Sequence, residues 1–288
     1  MDMYGGSGPV RAGRRFLFVA ALSLVFAAHL GAQGRNNPQV PATPRAAAPK
    51  DLTGYWVSMV TEDWRVRMVV PDRGDYQSVP LNPQGAKVAD TWDPVKDQAS
   101  GEQCRSYGAP AIMRVPGRLH IYWQDDNTLR IDADSGTQTR LFHFGNSAPQ
   151  SEAPTWQGYS MASWEGNESI DYASSPPGYA AGGFGGMTSS GEAEKTFQPG
   201  RGYLQVITTH MRPGYLRKNG VPYSGNAKLE EYFDTVSNPY DGDTLLMVTT
   251  VITDPQFLLE PFIYTSHFKK IPDGSGWDPT TCQADQPR

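Results

Sequence analysis

Apolar and polar residues alternate along a series of short segments, each ended by turn-forming residues. Leu119-His120-Ile121-Tyr122-Trp123 alternates, Asp125-Asp126-Asn127 turns, and Leu129-Arg130-Ile131-Asp132 alternates again. That is a hairpin signal. A second turn at Asp134-Ser135-Gly136 leads into a third strand over Thr137 to Phe144. Leu204 to His210, Ala227 to Phe233, Thr244 to Ile252 and Phe262 to Phe268 share the same β-branched and aromatic character. The best helical candidate, Gly85 to Asp93, is short and runs into Pro94. Many short strands with Gly, Pro, Asn and Asp between them predict an all-β domain, an antiparallel barrel or sandwich with few short helices.

The ends and one internal stretch lie outside that pattern. Arg11, Arg14 and Arg15 precede an uncharged run, Phe16 to Leu30, that closes on Gly31 and Ala32. The run is too short for a bilayer, which needs about 20 apolar residues, and matches a secretory signal peptide cleaved after Ala32. An uncleaved anchor is the alternative. Residues 33–49 read as a flexible Pro- and Ala-rich leader. Residues 50–288 read as one domain, interrupted at about 167–202 by a Gly-rich insertion without alternation. The sequence places the protein outside the cytoplasm, in the periplasm or the medium, with no membrane insertion after cleavage.

Loss of residues 1–32 removes three Arg and one Asp, leaving 22 basic and 29 acidic residues. A negative chain without a basic cluster offers phosphate backbones no electrostatic grip, so nucleic acid is excluded as a partner. Two cysteines remain, Cys104 and Cys282. An even count in an oxidising compartment reads as a disulfide; two thiols serving catalysis or metal would need a spacing that is absent. The sequence sets no oligomeric state.

A further set of motifs supports a resemblance: Leu52-Thr53-Gly54-Tyr55-Trp56, Glu62-Asp63-Trp64, Pro71 to Tyr76, Gln103-Cys104-Arg105, Trp156 to Ser160, Trp164-Glu165-Gly166 and Gly214 to Ser224 (GYLRKNGVPYS). Over about residues 50–270 the chain resembles a large, mostly uncharacterised family of secreted bacterial proteins with a Gly-x-Trp start. The resemblance implies export and a β-rich fold, and no activity. Gly54-Tyr55-Trp56 alone also resembles the first strand of lipocalin-like barrels, where the Trp plugs the barrel floor; this makes a lipocalin-like barrel the favoured architecture.

Chemistry-bearing residues are sparse. His120, His143, His210 and His267 lie on or at the ends of strands, and no His-x-His, H-E-x-x-H or calcium-loop spacing joins them, so no metal and no cofactor is expected. Each His has a structural reading, and strand alternation puts His143 on the Leu141 face, away from Arg140 and Phe142. Glu62 and Asp63 point to opposite faces unless the strand breaks there. Trp156, Tyr159, Trp164, Arg217 and Tyr223 combine aromatic surface with a few polar groups, which suits a small-molecule pocket. The first functional reading is therefore an exported β domain binding a small apolar or aromatic molecule. The second is an enzyme, a lyase, isomerase or hydrolase, using His143 or His210 as base and Glu62 or Glu165 as partner. The third is a structural envelope protein.

Overall fold

The computed structural model describes residues 43–145, 153–166, 168–170, 195–197 and 201–288. The expected export signal and most of the Gly-rich stretch lie outside the described residues. Nine strands form a closed barrel: β1 (Gly54–Met59), β2 (Arg118–Trp123), β3 (Thr128–Ala133), β4 (Gln138–Phe144), β5 (Tyr159–Glu165), β8 (Tyr203–Thr209), β11 (Lys228–Ser237), β12 (Thr244–Thr253) and β13 (Phe262–Ile271). Two short pairs stand apart, β6 (Glu168–Ile170) with β7 (Lys195–Phe197) and β9 (Gly214–Tyr215) with β10 (Pro222–Tyr223). Around the barrel the order is β1-β13-β12-β11-β8-β5-β4-β3-β2, and β2 pairs back onto β1.

The expected β2–β3–β4 meander forms, with Ile121 opposite Ile131 and Ile131 opposite Arg140. The barrel departs from pure antiparallel pairing at one seam. Strands β4 and β5 run parallel, Phe142 opposite Ser160, so the connection between them is not a hairpin. Nine strands with a parallel seam also differ from the eight-stranded up-and-down lipocalin barrel.

Alternation sends Trp56, Leu119, Ile121, Leu129, Ile131, Phe142, Leu204, Val206, Phe233, Leu246, Val248 and Phe268 inward, where each is at most 3% exposed. Burial of each large side chain contributes roughly 1.5–3 kcal/mol. Trp56 fills the interior as expected of the Gly-x-Trp motif, and its indole N–H donates to the Leu52 carbonyl at 3.0 Å. Halfway round, the same inward alternation buries Arg140 and Glu231, which pair through 2.8 and 2.5 Å hydrogen bonds. Ser160 and Thr208 lie beside them, sharing a 2.7 Å hydroxyl bond.

Among the described residues four short α-helices decorate the barrel: α1 (Trp64–Met68), α2 (Pro83–Ala89), α3 (Pro94–Ala99) and α4 (Ala109–Ile112). The region expected as one helix over Gly85 to Asp93 is instead α2, which starts two residues earlier. Asn82 caps it by accepting from the Gly85 N–H at 2.8 Å, with Pro83 at the first position. Pro94 does not close the structure but opens α3, because Asp93 caps it and proline suits a first helical turn. Residues 43–49, expected as leader, fold against the barrel: the Trp164 indole donates to the Pro44 carbonyl at 2.8 Å, and the Arg45 N–H to the Asp126 carbonyl at 3.2 Å.

Candidate functional site

Strand β1 ends at Met59, and Asp63 takes a left-handed φ of 51° to start α1. That break lets the adjacent carboxylates serve one region, which a continuous strand would forbid. Glu62 pairs with Arg67 and accepts from His267 Nδ1 at 3.0 Å. Asp63 accepts from Arg114 Nη2 at 2.8 Å. Arg114 follows α4, and its guanidinium covers the Tyr264 ring at 4.7 Å.

The remaining cations come from the hairpin joining β9 to β10. Leu216 N–H bonds to the Val221 carbonyl at 2.7 Å, and Gly220 closes the turn at φ 82°. Its glycine is required twice over, since a Cβ there would lie 2.2 Å from Trp92 Cβ. Asn219 ties the turn down by donating to the Asp72 and Asp75 carbonyls. The turn thereby fixes Arg217, which donates to the Gln77 carbonyl at 2.7 Å, and Lys218, whose Nζ lies 2.5 Å from the Tyr107 hydroxyl.

These elements enclose a cavity of about 30 Å³ that opens to solvent, lined by Arg67, Arg114, Arg217 and Lys218 together with Ser106 and Val66, Val69 and Val70. The four cations are 4, 5, 5 and 8% exposed, respectively. Among the described residues no carboxylate lies within ion-pair distance of Arg217 or Lys218. Arg67 Nη2, Arg114 Nη1 and Arg217 Nε are buried and meet no acceptor. Buried donors are normally satisfied, and an unpaired one costs about 1–3 kcal/mol, more when charged.

The electrostatics follow from this crowding. Burial, reinforced by the Arg114 charge, pushes Arg217 down to about 10. Burial pushes Lys218 down to about 7, with Asp285 opposing it. Burial alone would raise Asp63, but the Arg114 hydrogen bond and the charges of Arg114, Arg217 and Arg67 together hold it below the usual carboxylate range. The C-terminal segment supplies one wall. Cys282 is bonded to Cys104, with their Cα atoms 5.1 Å apart. Beyond it Gln283 N–H donates to the Tyr107 hydroxyl at 3.0 Å, and Pro287 lines the cavity.

Of the residues singled out from the sequence, Glu62 and Arg217 belong to this site. Tyr223 is buried in the adjoining core, where burial pushes its phenol up. The others do not join them. His143 lies on the outer face of β4, stacked on Tyr159 at 4.9 Å. His210 is exposed and bonds the Thr209 hydroxyl at 2.9 Å. Glu165 accepts from Ser163, Trp156 lies 4.0 Å beneath the Arg212 guanidinium, and Trp164 closes the barrel against Phe144. The carboxylate expected to meet His143 or His210 meets His267 instead. Arg114 is the cavity residue that the sequence reading misses, although it stands in an apolar run, Ala111-Ile112-Met113-Arg114-Val115. A lone charge in such a run is the readable signal, since charged side chains are rarely buried without purpose.

A second concavity of about 480 Å³ lies on the barrel's outer face, lined by Tyr203, Tyr232, Asp234, Met247, Thr249 and Thr265. Searches against protein-family models, curated proteins and solved structures find no match to this chain.

Proposed function

We propose that this is an exported β-barrel that binds a small organic acid, with the carboxylate held in the Arg67–Arg114–Arg217 cavity. One observation carries the reading: three buried arginines line one cavity, and each has a buried N–H without an acceptor. Guanidinium forks match carboxylates, and charge-assisted bonds are about twice as strong as neutral ones. Counting charges favours a singly charged ligand. Glu62 and Asp63 each answer one arginine, which leaves Arg217 uncompensated. Val66, Val69 and Val70 offer an apolar short tail a place at the mouth, where Trp64 and Met68 are also exposed. Export agrees with the Cys104–Cys282 disulfide. Leu216, Arg217 and Lys218, from the Gly214 to Ser224 motif, line the cavity, and Glu62 and Asp63 pair with its arginines.

Thermal unfolding with acetate, propionate and butyrate tests the reading. Ligand at about 100 times its Kd stabilises by about 2.7 kcal/mol, which raises Tm by roughly 5–10 °C at this size. Arg217→Met abolishes the rise. An equal rise with sodium chloride at matched ionic strength, or an undiminished rise in Arg217→Met, contradicts it. The outer concavity supports a second reading, an aromatic ligand stacked on Tyr203 and Tyr232, whose rings meet edge to face at 5.8 Å. Quenching of protein fluorescence by indole, lost in Tyr232→Ala, would support it; equal quenching in both proteins would sink it.

A further inference from the structure

We propose that the concavity on the barrel's outer face is a saccharide site, taking a neutral mono- or disaccharide. The proposal is independent of the arginine cavity and of any acid bound there. It shares the Tyr232 contact with the aromatic-ligand reading and departs from it in the chemistry of the ligand.

Strand register builds the site. Tyr232 on β11 stands opposite Thr249 on β12, which stands opposite Thr265 on β13, so a ring and two hydroxyls fall in one row across three strands. In the next row, two residues further along β11, Asp234 stands opposite Met247. Neighbouring strands lie about 4.8 Å apart and side chains alternate between faces, which gathers these five on the outer face within reach of one small ligand. Their neighbours Phe233, Leu246, Val248 and Phe268 face the other way and fill the core. Tyr203 from β8 completes the lining, its ring edge to face with Tyr232 at 5.8 Å. Tyr203 is exposed and the other lining residues are half-buried, so a solute can reach them.

Three features select the ligand. The volume of about 480 Å³ falls within the roughly 300–1,000 Å³ of small-molecule sites and exceeds what a single aromatic ring needs. The second feature is the hydroxyl pair. Thr249 and Thr265 lie 3.2 Å apart, and one bond between them leaves an O–H and several lone pairs to be answered by water or by a ligand. The Gln205 amide nitrogen, 3.5 Å from the Tyr232 hydroxyl, puts another polar group beside the ring. A ligand of carbon rings alone would cover these groups without replacing the water bonds they lose. A sugar answers them, because each of its hydroxyls both donates and accepts while its C–H faces pack on Tyr203, Tyr232 and Met247. The third feature is charge. Among the described lining residues Asp234 carries the one charge, and Lys50 pairs with it. That leaves no uncompensated charge to draw in an ion, which suits a neutral ligand.

Calorimetric titration of the full-length protein at pH 7 with glucose, galactose, cellobiose, maltose and lactose tests the proposal, with indole as the aromatic comparison. Saturable binding of at least one sugar is expected. Thr249→Val keeps the shape of the side chain and removes its hydroxyl; it weakens the sugar about 5-fold, the usual worth of one hydrogen bond, and does not weaken indole. Tyr232→Ala weakens the sugar at least about 10-fold through the lost ring face. Circular dichroism checks that each variant keeps the wild-type fold, and Thr249→Val carries the test alone should Tyr232→Ala fail to fold. No saturable heat with any of the five sugars overturns the proposal, as does a sugar affinity unchanged in the folded variants. Indole that binds while every sugar fails leaves the aromatic reading standing without this one; a sugar that binds while indole fails does the reverse.

Discussion

Glu231→Gln tests how the barrel interior is held. Arg140 and Glu231 are 2% and 0% exposed in their side chains and share two hydrogen bonds of 2.8 and 2.5 Å. The change keeps the shape and removes the negative charge. Arg140 then remains a cation inside the barrel with no counter-charge, facing only neutral acceptors, the new amide oxygen and the Thr208 hydroxyl 3.4 Å away. Its Nε already lacks a partner, so there is no spare acceptor to take over. Breaking one side of a buried pair costs about 3–5 kcal/mol. At roughly 2–4 °C per kcal/mol for a domain of this size, Tm falls by roughly 6–20 °C. The double change Arg140→Met with Glu231→Leu removes both charges and recovers most of the loss, because a buried pair is itself worth little against apolar packing. Guanidinium unfolding, followed in parallel by tryptophan fluorescence and far-ultraviolet circular dichroism, measures all three proteins. A cost below about 1 kcal/mol for Glu231→Gln is what a solvated surface pair would give, and would refute the buried, charged interior described above.

Other consequences can be read the same way. Replacing Cys104 and Cys282 by Ser opens a loop spanning 178 residues, and the chain-entropy account gives a loss of about 5 kcal/mol, read as a lower unfolding midpoint. Gly136→Ala puts a Cβ 2.3 Å from the Tyr107 ring at φ 71°, so it should cost more than about 1 kcal/mol, read as a lower unfolding midpoint. Lys218 titrates at about 7 when folded and at the ordinary 10.5 when unfolded. Across that window the unfolded chain holds the extra proton, so wild-type stability rises with pH relative to Lys218→Met. Parallel stability curves for the two proteins between pH 7 and 9.5 would contradict a desolvated lysine. Asn82→Ala removes the α2 cap and should cost about 0.5–2 kcal/mol by chemical unfolding.

The strands were legible because alternation and turns are local signals. Leu119 to Phe144 could be parsed into β2, β3 and β4 nearly to the residue. The parallel β4–β5 seam was not, since the sequence over 145–158 has no periodic pattern that would separate a hairpin from a parallel pairing. Pro94 looked like a stop because proline ends helices from within, yet after Asp93 it begins one. The site was half legible. The turn at Asn219-Gly220 marked the loop that bears Arg217, and Glu62 was visible as half of an acidic pair. What brings Glu62 inward is the left-handed Asp63, a backbone choice that the sequence does not advertise. The histidines drew attention by their chemistry, although the alternation that buries Phe142 already sends His143 outward.

Calorimetric titration of the folded protein with propionate at pH 7 and low ionic strength tests the central claim most directly. A saturable site, one per chain, is predicted in the wild type, and it is lost in Arg217→Met and in Arg114→Met while both variants keep the wild-type circular dichroism. Absence of saturable heat in the wild type, or an unchanged affinity in Arg217→Met, would contradict a carboxylate held by the buried guanidiniums.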